Sequence, residues 1–280
     1  MKSFLLAFII SIFAVSVFAQ NEAGGDKIYL LVRADDIASF HDANVACIRS
    51  ATEGIAQSIE IMVPCAWFPE AVKMLNENPQ VDVGVHLVLT SEWNEIKWRP
   101  LTNARSLTDN DGYFLPVIWG DAGNMNCLKN NAWKLDEIEK ELRAQIELAQ
   151  KSIPHVSHIS THMGFAGMDS TVVNLVNRLG EEYHLKTEKD FSLKRMNGWD
   201  KVKTLDEAIT RFVENIQKLS PGTYLFVEHP GLDDDEMRTI SRSPIAVDRQ
   251  RVTDVFTSEK VKKALKNKGV KLVSYSDLSK

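Results

Sequence analysis

Apolar residues recur along this chain in two alternating rhythms. Short runs of four to six consecutive apolar, β-branched positions are followed by longer stretches in which apolar residues return every three or four places. Ile28-Tyr29-Leu30-Leu31-Val32 is the first run, and its continuity suits a strand buried on both faces. A helical pattern over 42–56 follows, with Ala43, Ala46, Cys47 and Ser50 at helical spacing. The same alternation predicts strands over 58–63, 81–89, 156–160, 223–227 and 270–275, and helices over 69–78, 135–152, 170–179, 205–219 and 252–267. In 135–152 the stripe is clearest: Leu135, Ile138, Leu142, Ile146 and Ala149 share one face. Strands separated by helices imply a parallel sheet. Six or seven such units predict an α/β fold, a distorted (β/α) barrel of mostly parallel strands in a single domain.

Two stretches break the rhythm. Residues 91–133 hold four of the six tryptophans (Trp93, Trp98, Trp119, Trp133) and an Asn110-Asp111-Gly112 turn signal. Insertions of this length are usually functional loops or lids, and their aromatic rings could stack on sugar faces or simply pack the core. Residues 181–203 carry no clear pattern beyond a short strand.

The first twenty residues are a separate device. Lys2 precedes an apolar run from Phe4 to Phe18, and Val17-Phe18-Ala19 ends it with small-residue character before Gln20. This is the pattern of a secretory signal peptide cut after Ala19. The run is short for a membrane span, and there is no Cys at the cut for a lipid anchor. The expected mature domain is 20–280, periplasmic or secreted and free of the membrane after cleavage. A hydrophobic content of 44%, a charged content of 25% and a net charge of −5 describe an ordinary globular protein with no dense basic cluster, which argues against a nucleic-acid partner. The lysines of 260–271 read as the solvated face of the last helix. Three cysteines, Cys47, Cys65 and Cys127, form no C-x-x-C pair. They read as buried small hydrophobes, with a Cys65–Cys127 bridge as the minority option. The sequence leaves a homodimer open.

Candidate chemistry sits where strands should end. Asp35-Asp36 follows the first strand, His86 closes Val83-Gly84-Val85-His86, His158 and His162 flank the end of the fourth strand, and Glu228-His229-Pro230-Gly231 follows the sixth. In barrels and open α/β sheets these ends converge on one site. Two adjacent carboxylates repel, so both persist only with compensation: one facing a cation and the other a water beside it, or one capping the next helix. A His inside an apolar strand must be paired or metal-bound. His158 and His162 are about 13 Å apart if the strand runs straight through both. His162, at the turn, is therefore taken as the ligand and His158 as a supporting or core residue. His229 is a loop histidine suited to general acid work or to a turn hydrogen bond. Asp248-Arg249-Gln250-Arg251 could orient a catalytic carboxylate or lie on the surface.

Taken together these segments resemble the YdjC-like carbohydrate deacetylases, the family of the chitooligosaccharide deacetylases. The resemblance runs from about Ile28 to the C-terminus and rests on Ala34-Asp35-Asp36, on the 76–90 segment from Asn76 through Asn78-Pro79 and Val81-Asp82-Val83-Gly84-Val85-His86-Leu87 to Leu89-Thr90, on His158 to His162, and on Glu228-His229-Pro230-Gly231. It implies a (β/α) barrel with Asp36, His86 and His162 as ligands of one divalent metal, and that two-nitrogen, one-oxygen donor set favours Zn2+ over Mg2+. It also implies Asp35 as the base and His229 as the acid, acting on N-acetylated sugars. The chain departs from the family at Ala38, where a Gly is usual, and after His162, where Met163-Gly164-Phe165-Ala166 replaces further histidines. A metal-dependent esterase or phosphatase on the same site, or a non-catalytic periplasmic sugar-binding protein, are the competing readings.

Overall fold

The structure, a computed structural model, describes residues 26–120, 126–241 and 244–279. The proposed signal peptide lies outside them. Seven strands, β1 (Ile28–Ile37), β2 (Ser58–Ile61), β3 (Asp82–Leu87), β4 (Val156–Thr161), β5 (Lys194–Arg195), β6 (Gly222–Glu228) and β7 (Val270–Leu272), form one all-parallel sheet in the order β4-β3-β2-β1-β6-β5. β1 has β6 along one edge, and along the other β7 at Ile28–Leu30 and then β2 from Arg33 onward. The sheet curls into a barrel that stays open between β4 and β5, where a single bridge from His158 to Lys186 stands in for a strand. The distorted barrel is as expected.

Outside the sheet pack α1 (His41–Thr52), α2 (Phe68–Glu77), α3 (Leu135–Ser152), α4 (Ser170–Glu182), α5 (Leu205–Gln217), α6 (Asp235–Ser241), α7 (Ile245–Thr257) and α8 (Glu259–Lys268), whereas α9 (Tyr275–Leu278) carries Tyr275 into the barrel and bonds to Asp82. The helix expected over 252–267 is two helices broken at Ser258, whose extended backbone (ψ 125°) ends α7 and caps α8. No helix among the described residues is long and apolar enough to cross a membrane.

The two faces of β1 follow the period-2 rule. Ile28, Leu30, Val32 and Ala34 join the large core between sheet and helices, whereas Leu31 joins a small cluster with Leu225, Val273 and Tyr275 inside the barrel. Above that floor the interior is polar. Arg33, Asp35, Ser58, Glu60, Asp82, His86, His158 and Ser160 are all buried there. Buried ionisable groups survive only when paired, and these are. Glu60 Oε1 lies 2.6 Å from His158 Nε2, and Asp82 accepts from Ser58 (3.1 Å), from Ser157 (2.6 Å) and from the Tyr275 backbone N–H (3.1 Å). Gly84 makes this possible, because a Cβ at that interior position would collide with the Glu60 carboxylate and the His158 ring.

The described parts of the 91–133 insertion, 91–120 and 126–133, dock on the body of the protein. Trp93 and Trp98 are buried, Trp133 packs at the edge of the core, and Trp119 is exposed. Glu141 of α3 accepts from the backbone of Leu101 (3.0 Å) and Thr102 (2.9 Å), and Gln145 bonds both the N–H and the C=O of Val88 at 2.9 and 2.8 Å. All three cysteines are buried and free, so no Cys65–Cys127 bridge exists.

Candidate metal centre

β1 continues through Asp35 and Asp36 rather than ending before them as the sequence pattern suggested. Strict alternation would send the two carboxylates to opposite faces. A register shift between Ala34 and Ile37, with Asp36 at φ 76° and Ala38 at φ 84°, breaks the alternation. Asp tolerates this left-handed backbone better than most residues. Both carboxylates thereby reach the same imidazole: Asp35 Oδ2 is 3.8 Å and Asp36 Oδ1 is 3.6 Å from His86 Nε2. Neither caps α1, whose N-cap is Phe40.

His162 completes the group. The chain turns immediately after it, with Met163 at φ 52° and Gly164 at φ 64°, and this swings the ring back over the barrel mouth. His162 Nδ1 is 3.3 Å from Asp36 Oδ1 and 3.4 Å from His86 Nε2. The three atoms thus form a triangle of 3.3, 3.4 and 3.6 Å edges. Ligand atoms about 2.1 Å from a tetrahedral ion stand ~3.4 Å apart. Asp36 Oδ1 is buried without a hydrogen-bond partner, the state expected of an oxygen meant for a cation. These three residues are the one group among the described residues able to hold a metal. Two imidazoles and a carboxylate suit zinc and admit other divalent ions.

The surrounding groups orient the triangle. Ser160 Oγ donates its single proton to Glu60, so toward His86 Nδ1, 2.7 Å away, it can only accept. His86 therefore carries its proton on Nδ1 and turns the Nε2 lone pair to the centre. Arg249 Nη2 donates to Asp36 Oδ2 at 3.0 Å, leaving Oδ1 alone for an ion. The Asp248–Arg251 segment thus serves Asp36 rather than Asp35. Asp35 is gripped by Arg33, Nε to Oδ1 at 2.7 Å and Nη2 to Oδ2 at 2.9 Å, and Arg33 Nη1 reaches the Tyr275 hydroxyl at 3.2 Å. His158 lies in the barrel interior away from the triangle, stacked 3.9 Å from the Tyr275 ring and bonded to Glu60.

The electrostatics follow from burial and partners. Burial alone would raise the Asp36 carboxyl, but His229, His162 and Arg249 outweigh it and hold it well below the usual range. Burial and the His162 charge push His86 down to about 3. His162 resists its burial through Glu92 and Asp36, which lift it to about 10. His229 is likewise raised above its ordinary value, since Asp36 and Glu228 overcome desolvation. His229 stands at the end of β6 with its side chain 42% exposed, on a cleft of about 360 Å³ that it shares with Trp199, Glu228, Arg249 and Arg251. Gly231 lets the loop after His229 press on α7, where a Cβ would meet the Arg249 side chain at 2.9 Å.

Pattern reading missed Arg33, Glu60, Glu92 and Ser160. Glu60 carried a signal: a charged residue within Ser58-Ile59-Glu60-Ile61 needs a partner for the same reason as His86 in its apolar strand. Glu92, in the insertion, carried none.

A sequence model of the YdjC-like protein family matches residues 29–267. The chain belongs to that family. Over 246 residues this YdjC-like chain is 30% identical to a carbohydrate deacetylase of Thermus thermophilus, covering 79% of this chain and 84% of that one. A carbohydrate deacetylase of Listeria monocytogenes is 27% identical over 263 residues, 89% of this chain and 99% of its own. Among solved structures, an Enterococcus faecalis protein provisionally named for cellobiose-phosphate cleavage superposes with a TM-score of 0.73 at 21% identity, over 90% of this chain and 99% of that one, and shares the fold.

Proposed function

We propose that this YdjC-like protein is an exported, divalent-metal-dependent hydrolase that removes acetyl groups from N-acetylated sugars or oligosaccharides. The observation that carries the reading is the convergence of Asp36 Oδ1, with no hydrogen-bond partner, on His86 Nε2 and His162 Nδ1, beside the second carboxylate of Asp35. Curated relatives of nearly the same length are carbohydrate deacetylases. Zn2+ is favoured over Mg2+ by the donor set.

When bound, the cation would supply Lewis acidity at the acetyl carbonyl. The rest falls to side chains. Asp35, fixed in direction by the Arg33 fork, takes a proton from the attacking water. Arg249 restrains Asp36 from rotating its free oxygen away. His229, its pKa raised, holds the proton that the departing amine needs and presents it at the cleft. The cleft offers Glu228 and Arg251 to the sugar beside the edge of the buried Trp199, a polar lining that suits a carbohydrate. Export rests on the leader at 1–19.

The test is acetate release from a panel of N- and O-acetylated glycans, with wild type and Asp35→Asn side by side and with and without chelator. Release from N-acetylated sugars that Asp35→Asn and the chelator each abolish supports the reading. Tight glycan binding without acetate release in the zinc-loaded protein, or release indifferent to chelation, refutes it.

A further inference from the structure

The inference concerns the far side of His162 and rests on the reading of Asp36, His86 and His162 as a cation site. His162 Nε2, the nitrogen that faces away from the triangle, lies 3.2 Å from both Glu92 Oε1 and Glu92 Oε2. A neutral imidazole has one donor and one acceptor nitrogen. A cation at the triangle would take the place of the Nδ1 proton, and the acceptor carboxylate on Nε2 keeps the remaining proton there, so that the Nδ1 lone pair faces Asp36 and His86.

Glu92 is not a loosely held loop side chain. Its predecessor Ser91 donates its backbone N–H to Leu115 O at 2.9 Å, accepts the Trp98 N–H on Oγ at 3.1 Å and accepts Lys97 Nζ on its carbonyl at 3.1 Å. The Trp98 indole donates to Thr90 O at 2.6 Å. Its successor Trp93 packs edge-on against Phe40, ring centroids 5.5 Å apart, under the Arg249 guanidinium. The same arginine holds Asp36. Glu92 is therefore clamped from both sides at the junction of β3 and the 91–133 insertion.

We propose that Glu92 is a positioning residue that sets the tautomer and ring angle of His162, so that the start of the insertion, at 91–98, is part of the cation site and not only a surface elaboration. His86 is oriented by a carboxylate acting through a serine, and His162 by a carboxylate acting directly. Carboxylates in this position typically contribute ~10–100-fold to metal affinity.

The test reads Zn2+ affinity by competition with a fluorescent chelator in wild type, Glu92→Ala and Glu92→Gln, together with a crystal structure of the zinc-loaded wild type. Glu92→Ala should bind Zn2+ ~10–100-fold more weakly, and Glu92→Gln, whose amide oxygen can still accept from Nε2–H, should stay within about fivefold of wild type. The crystal structure should show the ion on His162 Nδ1 with Glu92 still on Nε2. Equal affinity of wild type and Glu92→Ala overturns the inference and leaves the cation site standing, as does a structure with Glu92 bound to the ion or turned to solvent. Wild type that binds no Zn2+ overturns both. The crystal structure decides even if Glu92→Ala fails to fold.

Discussion

Replacing Arg33 by Met tests the link between the barrel interior and the proposed base. Arg33 is 5% exposed and Asp35 3%, and the guanidinium meets both carboxylate oxygens, at 2.7 and 2.9 Å. Met fills similar volume without the charge. It leaves a buried carboxylate unpaired, which costs about 3–5 kcal/mol. That is a large share of a total stability of about 5–15 kcal/mol. At about 2–4 °C per kcal/mol for a chain of this size, melting should fall by roughly 6–20 °C. The loss should depend on pH. Arg33→Met leaves a carboxylate charge in a buried site, and burial disfavours the charged form of a carboxyl. A group raised in the folded state contributes stability at low pH and loses it as pH rises through the folded value. The variant should therefore lie closest to wild type near pH 5 and furthest at pH 8. The assay is urea denaturation across that range for Arg33→Met, Asp35→Asn and the double variant. The double variant should be more stable at pH 8 than Arg33→Met alone, since no charge is left stranded. A deficit that is the same at every pH, with effects that simply add in the double variant, would refute the reasoning.

Other predictions follow from the same contacts. Ser160→Ala should lower Zn2+ affinity ~10–100-fold by freeing His86, whereas Ser157→Ala, which loses bonds to Asp82 and His158 of similar length, should lose stability but bind Zn2+ as wild type does; competition titration and thermal melts separate the two. Asp42, buried and facing Asp234 and Glu236, has its carboxyl pushed up to about 7. Its stabilising contribution is complete below about pH 4 and is lost as pH rises through the folded value. Asp42→Asn should match wild type at pH 4 in urea titrations and exceed it at pH 8 by on the order of 1 kcal/mol. Ala38 sits at φ 84°, where a Cβ costs about 1 kcal/mol, so Ala38→Gly should leave melting unchanged or raise it by a few degrees.

The fold was legible because buried parallel strands and amphipathic helices write different periods into the chain. The 135–152 helix matches α3 at both ends, and each predicted strand is present. What misled was backbone geometry that residue types do not encode. The positive φ of Asp36 and the bulge around it let β1 run on through the carboxylate pair, and the extended Ser258 divides a pattern that reads as one helix. At the site, Asp35, Asp36, His86 and His162 announced themselves as polar residues at strand ends, and the structure gathers the other three around His86 Nε2 at 3.4 to 3.8 Å. Arg33 and Glu60 were legible in principle, since each is in phase with an interior-facing position of its strand. Glu92 was not, because its place depends on how the insertion folds back onto Thr90 and Leu115.

The central claim is that one divalent cation binds between Asp36, His86 and His162. Anomalous diffraction at the zinc edge from crystals of the zinc-loaded protein tests it most directly. A single strong peak about 2.0–2.2 Å from Asp36 Oδ1, His86 Nε2 and His162 Nδ1 is predicted. The claim is contradicted if no peak lies among those three atoms, or if the zinc sits elsewhere while they remain in contact with one another.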